Sequence, residues 1–199
     1  MKKTIKKCLS ATLCALLLFA FPLSLTACKE GNPRIVITLT DGRKMTAELY
    51  PDIAPQTVAR VLTLVDQKLY DGVIFHRVIN NFMIQTGGYI PSEQGLMQLS
   101  APGFFGEFYA NGFMNELKHE PGVLSMARAT SYNSASTQFF ICTAQNPNLD
   151  GGYAAFGKLV DEKSLAVAMD ISTVPTGAKY VFGTDAPLED IVIKTIRRK

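Results

Sequence analysis

Tryptophan is absent from the 199 residues, and histidine nearly so: only His76 and His119 occur. Neither histidine has a partner at metal-ligand spacing, so no metal centre is expected. There is no CxxC, no GxxxxGK[ST] and no GxGxxG after a strand, so the usual thiol, phosphate and dinucleotide motifs are missing and no cofactor is expected. No nucleophile elbow supports a Ser-His-Asp hydrolase. Cysteine is scarce as well. Of four, Cys8 and Cys14 lie in an apolar leader, Cys28 closes it, and only Cys142 remains beyond. One cysteine cannot form an internal disulfide, so the domain must be held by its core. Cys142 lies inside "QFFICTA", an apolar strand-like run, and reads as a buried inert thiol rather than a nucleophile.

Positive charge is also smaller than it looks. The formal net charge is +3, but four lysines (Lys2, Lys3, Lys6 and Lys7) fall in the first 27 residues, where there is no acid. Beyond them 16 basic side chains face 17 acidic ones. A near-neutral domain offers no electrostatic footprint for nucleic acid. The leader itself has a basic start, "MKKTIKK", then the apolar "CLSATLCALLLFAFPLSL". Its length alone would allow a permanent anchor. Its end decides otherwise: Leu25-Thr26-Ala27-Cys28 resembles the lipobox of bacterial lipoproteins. The resemblance implies a signal peptide over 1–27, a lipidated Cys28, a tether over 28–33 and a folded domain over 34–199. The domain is then expected outside the cytoplasm, lipid-anchored to a bacterial membrane on its periplasmic or cell-surface side.

"RIVITLTDGRKMTAELY" contains two strand-like runs about Asp41-Gly42, a strong hairpin signal. "PDIAPQTVARVLTLVDQKLYDG" predicts a helix, with Val58, Val61, Leu62, Val65 and Leu69 on one face, Pro55 in the first turn and Gly72 at the stop. "VIFHRVINNFMIQTGG" is extended in character but too apolar for simple alternation. Residues 89–122 are rich in Gly and Pro and read as loop. "VLSMARA", "QFFICTA", "YAAFGKLV" and "DIVIKTIRR" read as short strands. "DEKSLAVAMDIS" predicts a second helix with Asp161 as its cap. No repeat, low-complexity tract or second domain is evident. The class is mostly β, and periodicity alone does not choose between barrel and sandwich.

Three blocks together, "FHRVINNFMIQTGG", "GVLSMARA" with "STQFFICTA", and "LDGGYAAFGKLV", resemble the signature segments of cyclophilins, the cyclosporin-binding peptidyl-prolyl cis/trans isomerases. The likeness runs from about residue 34 to 197. It implies a closed eight-stranded antiparallel β-barrel capped by two helices. It also implies an activity, acceleration of X–Pro bond rotation, here in exported proteins. That rotation must surmount about 18–20 kcal/mol of partial double-bond character. No covalent bond breaks, so the enzyme need only favour the twisted amide. Twisting frees the lone pair of the proline nitrogen, and a planar guanidinium is a better donor to it than a mobile ammonium.

By the resemblance, Arg77 is that donor, Gln85 holds the substrate backbone, and Phe82, Met83, Phe140 and Leu149 receive the proline ring. Ala127 leaves room for the peptide, and Tyr153 forms an aromatic wall where animal members have histidine. Asn148 stands where those proteins carry the Trp that bonds cyclosporin, so cyclosporin binding is expected to be weak. The 89–113 loop resembles bacterial members. Partners are then proline-containing segments and, through Cys28, the membrane; nothing suggests more than a monomer. The alternative is a non-catalytic chaperone module that holds such segments in the same groove.

Overall fold

Strand alternation is clean where one face meets water. In β1 (Arg34–Leu39) and β2 (Lys44–Leu49), the residues Ile35, Ile37, Leu39, Met45, Ala47 and Leu49 are buried, while their neighbours are partly or fully exposed. Gly42, at φ +91°, makes the tight connection that the Asp41-Gly42 pair predicts. The computed structural model describes residues 31–180 and 182–199, so the leader and Cys28 lie outside the described residues. Among the described residues no helix is long and apolar enough to cross a membrane.

Helix α1 (Pro55–Asp66) buries Val58, Val61, Leu62, Leu64 and Val65. It stops well before the predicted Gly72. Lys68 takes the left-handed conformation at φ +57°, its N–H bonds the Val65 carbonyl, and the Leu69 N–H bonds the Leu64 carbonyl. This is a Schellman closure with lysine in the place usually held by glycine. The helix start has no side-chain cap of its own, because Ala54 precedes it. The carboxylate of the buried Glu107, about fifty residues downstream, takes that role. It accepts the Gln56 N–H at 3.0 Å and the Thr57 N–H at 2.8 Å. Helix α2 (Glu162–Ser172) is capped by Asp161, as the sequence suggests, through the Ser164 N–H at 2.7 Å.

The remaining strands are β3 (Arg77–Ile79), β4 (Met83–Thr86), β5 (Tyr89–Ser92), β6 (Gly95–Gln98), β7 (Val123–Met126), β8 (Phe139–Cys142), β9 (Ala155–Leu159), β10 (Thr176–Gly177), β11 (Ala186–Pro187) and β12 (Ile193–Arg198). Eight of them form one antiparallel sheet in the order β12-β1-β2-β9-β7-β8-β4-β3. The β5–β6 hairpin and the β10–β11 pair are separate, and neither was expected from the sequence. Helix α1 packs against β12, and α2 against β2, β3 and β4.

The expected closed barrel is in fact a curled sheet whose ladder stays open. Its two edges approach at one isolated bridge, Ile74 with Val192. Hydrogen bonds from Gly72 to Ile193 and from Phe75 to Ile191 flank that bridge. Past Phe75 the pairing changes partner. The Val78 N–H bonds the Asp185 carbonyl at 2.8 Å, so the chain around β11, not β12, serves the free edge of β3.

The concave side holds the main core, with Val78, Ile84, Leu124, Phe139 and Ile141 among its buried members. A second, smaller cluster on the outer face is built on Met83, Phe140 and Cys142. Strands β7 and β8 are therefore buried on both faces. That double burial explains why their sequences do not alternate. Removing the distant cap tests the packing of α1: Glu107→Ala should lower unfolding free energy by about 2 kcal/mol, because one buried N–H group, of Thr57, and one partly buried, of Gln56, lose their acceptor. Urea unfolding would check this, and a loss below about 0.5 kcal/mol would contradict the capping role.

Candidate active site

The outer cluster follows from strand register. Arg77 on β3 lies opposite Gln85 on β4, Gln85 opposite Phe140 on β8, and Phe140 opposite Ser125 on β7. Residues directly opposite share a face, and so do residues two apart along a strand. Ile79, Met83 and Cys142 therefore join the same face, and the intervening residues turn into the main core. The crowding of "FHRVINNFMIQTGG" has this cause: it supplies two apolar compartments at once.

Two turns complete the compartment. Asn81, at φ +55°, reverses the chain between β3 and β4 and sets Phe82 at the rim. The Phe82 carbonyl accepts the Thr143 N–H at 3.0 Å and the Asn146 side-chain amide at 2.9 Å. A short 3-10 turn, Pro147–Leu149, brings in Leu149. Tyr153 meets Phe140 edge to face, with ring centres 5.9 Å apart. The diglycine after β4 is steric: Gly87 has φ +85°, and a Cβ there would collide with the Thr137 carbonyl.

The result is a cleft of about 260 Å³. All eight residues singled out from the sequence line it: Arg77, Phe82, Met83, Gln85, Ala127, Phe140, Leu149 and Tyr153. His76 does not. It is buried between the rings of Tyr89 and Phe182, at 4.8 and 5.0 Å. A larger hollow of about 480 Å³ lies beside the β1–β2 turn, where Arg43 pairs with Asp41 and Asp190 with Lys179, and none of the eight residues lines it. Among the described residues no group of three or more His, Cys, Asp or Glu could hold a metal ion.

Four functional neighbours escaped the sequence reading. Asp185 accepts the Arg77 Nε–H at 3.1 Å, across 108 positions of chain. Both side chains are only partly buried, so the pair orients Arg77 more than it stabilises the fold. The terminal Nη groups of Arg77 make no hydrogen bond among the described residues. Gln138 accepts from the Gln85 side-chain amide at 2.9 Å. Arg128 lines the cleft beside Tyr153. Its Nε donates to the Gly152 carbonyl at 2.9 Å, and its guanidinium carbon lies 4.6 Å from the Tyr153 ring centre.

The fourth is His119. Its Nδ1 meets Asp150 at 2.9 Å, and its Nε2 meets Ser125 at 3.0 Å. The chain of groups has the order of a hydrolase relay. Ser125, however, is wholly buried and does not line the cleft. Burial pushes the His119 pKa down against the pull of Asp150, which keeps the ring neutral. It stacks at 6.0 Å on Phe140 and so backs the apolar wall. No local sequence signal marks this contact, because Asp150 lies 31 positions from His119 and meets it only in the fold. Cys142 is buried, and burial lifts its thiol to about 11, which makes it unreactive, as its apolar run suggests.

A family model described as cyclophilin-type peptidyl-prolyl cis-trans isomerase/CLD matches residues 34–198. Peptidyl-prolyl cis-trans isomerase B of Escherichia coli is 35% identical over 165 residues, covering 79% of this chain and 94% of that protein. A longer Streptococcus pyogenes protein, named as a bifunctional phosphatase/peptidyl-prolyl cis-trans isomerase, is 37% identical over 192 residues; the chain spans 38% of its length. A crystal structure of a Cryptosporidium parvum cyclophilin-type isomerase, determined in the presence of the dipeptide Ala-Pro, superposes with a TM-score of 0.67 at 29% identity. The match covers 83% of this chain and 98% of that one.

The buried His76 generates a pH dependence. Burial lowers its pKa from 6.5 to about 4, although hydrogen bonds oppose the shift. Below pH 6.5 the unfolded chain takes up a proton that the folded chain refuses. Its contribution is thus complete above pH 6.5 and falls as pH drops toward 4, by about 3 kcal/mol. His119 is shifted in the same direction. Urea unfolding at pH 7.5 and 4.5 should show a smaller loss for His76→Phe than for the wild type, and equal losses would refute the assignment.

Proposed function

The chain belongs to the cyclophilin-type peptidyl-prolyl cis-trans isomerases and catalyses that reaction, and on this premise we propose that the outer-face cleft is where X–Pro bonds of exported proteins are turned. The observation that carries the proposal is the meeting, in one cleft, of Arg77 and Gln85 with an apolar pocket of Phe82, Met83, Phe140 and Leu149. The proline ring enters that pocket, Ala127 leaves clearance for the peptide backbone, and Tyr153 closes one wall. Gln85, itself held by Gln138, bonds the substrate backbone.

Arg77 supplies what the chemistry needs. The planar amide offers little lone pair at nitrogen; the twisted amide offers one. A guanidinium Nη–H aimed at that nitrogen makes a bond that strengthens only in the twisted state. Asp185 takes up Nε and leaves the Nη groups for the substrate. The apolar surround lowers the local dielectric and strengthens the bond. No proton changes hands, so turnover needs no titrating group in the cleft.

The setting follows from the leader. Lipidated Cys28, six residues before β1, tethers the domain within about 20 Å of a bacterial membrane, outside the cytoplasm. There the enzyme acts as a monomer on exported chains. Cyclosporin binds weakly, since the exposed Asn148 offers neither an indole N–H nor a flat apolar face.

The test is isomerisation of an Ala-Pro-Phe type peptide by the full chain in detergent, followed by NMR exchange. Arg77→Ala should lower kcat/KM about 10²–10³-fold with little change in peptide affinity, and Phe140→Ala should weaken affinity itself. Full activity in Arg77→Ala would overturn the mechanism. A folded wild type that binds the peptide but does not turn it would favour a module that only holds proline segments.

A further inference from the structure

We propose that Arg128 makes this site selective for X–Pro segments carrying an acidic side chain within two residues of the proline. The proposal rests on the reading of the cleft as the isomerase site.

A second hollow, of about 340 Å³, adjoins the cleft and shares Gln85, Ala127 and Arg128 with it. Its other walls carry uncharged groups, the amides of Gln98 and Gln138 and the hydroxyls of Ser134 and Ser136. No carboxylate lines either hollow. Two cations do, and they differ. Arg77 is balanced by Asp185. Arg128 has no carboxylate partner among the described residues. Its Nε donates to Gly152, and its Nη1 donates to the carbonyls of Ala129, at 3.0 Å, and Thr130, at 3.4 Å. Carbonyls fix the group but do not cancel its charge. Nη2 has no acceptor among the described residues.

The rings restrain it further. The guanidinium carbon lies 5.2 Å from the Phe108 ring centre, 5.1 Å from Tyr132 and 4.6 Å from Tyr153. A free arginine must lose rotamer freedom to grip a carboxylate; this one has already lost it. A fixed, uncompensated charge on the wall between two hollows is the arrangement that recognises an anion and disfavours a cation. Adjacent residues of an extended peptide advance about 3.3–3.6 Å each, so a side chain one or two places from the proline reaches the shared wall. Fixing the 150–153 segment over the cleft would also explain the Gly152 bond. It would explain neither the lack of acids nor the open Nη2.

The test uses the full chain in detergent and Ala-Ala-Pro-Phe type peptides with Glu, Gln or Lys at each position within two residues of the proline. At low salt kcat/KM should favour Glu over Lys by at least about tenfold at one of these positions. The ratio should shrink toward unity at high salt and in Arg128→Gln, whatever the absolute rate, with Arg128→Lys between. Equal rates for Glu, Gln and Lys at every position in the wild type would overturn the proposal. So would a Glu preference that survives in folded Arg128→Gln. If Arg128→Gln does not fold, the salt dependence of the wild-type Glu/Gln ratio decides alone. Absence of turnover with all peptides would sink the isomerase reading instead, and affinities of the same peptides would then decide the charge preference.

Discussion

The register of four strands is the constraint on which everything else depends. Because β3, β4, β8 and β7 pair as they do, Arg77, Gln85, Phe140 and Ser125 fall in one row on the outer face. A slip of one residue would turn that row into the main core and bring Val78, Ile84 and Ile141 out. Apolar residues on both faces cannot by themselves prevent such a slip. Directed contacts do: the Asp185 carbonyl on the Val78 N–H, Asn146 on the Phe82 carbonyl, and Gly87 against the Thr137 carbonyl.

That register also sorts the polar groups. Neutral, buried His119 stands behind Phe140 with Asp150 and Ser125, where it stiffens the wall. His76 is sealed among rings, neutral at physiological pH. Cys142 keeps its proton. The polar groups that face the cleft are an amide, two guanidiniums and the Tyr153 phenol, with no carboxylate, imidazole or thiol among them. Such a set is suited to bind and polarise, which matches a reaction that only rotates a bond.

Much of this was legible in the chain. Asp41-Gly42 marks the first hairpin, Pro55 the start of α1 and Asp161 the cap of α2, because each acts through its immediate neighbours. The eight cleft residues were legible through family likeness, in blocks whose order carries the register. What could not be read is what long-range contact decides. Glu107 caps a helix fifty residues away, Asp185 turns Arg77 from across the chain, and Gln138 braces Gln85 from just before β8. Lys68 ends α1 where glycine was expected at position 72, because the closing bonds run between backbone groups and a left-handed lysine carries no sequence mark. The open ladder has a similar origin. Pairing between the edges gives way where the Asp185 segment takes over β3, and no periodicity announces such a change of partner.

The central claim is that catalysis comes from a planar, fixed donor that engages only the twisted amide. The most direct measurement is the cis/trans interconversion rate of a saturating proline peptide on the enzyme, by NMR exchange, for the wild type beside Arg77→Lys. Lysine keeps the charge and loses the fixed fork. The account predicts an on-enzyme rate lower by at least about tenfold, with bound cis and trans populations little changed. A rate within twofold of wild type would show that positive charge alone suffices, and would contradict it.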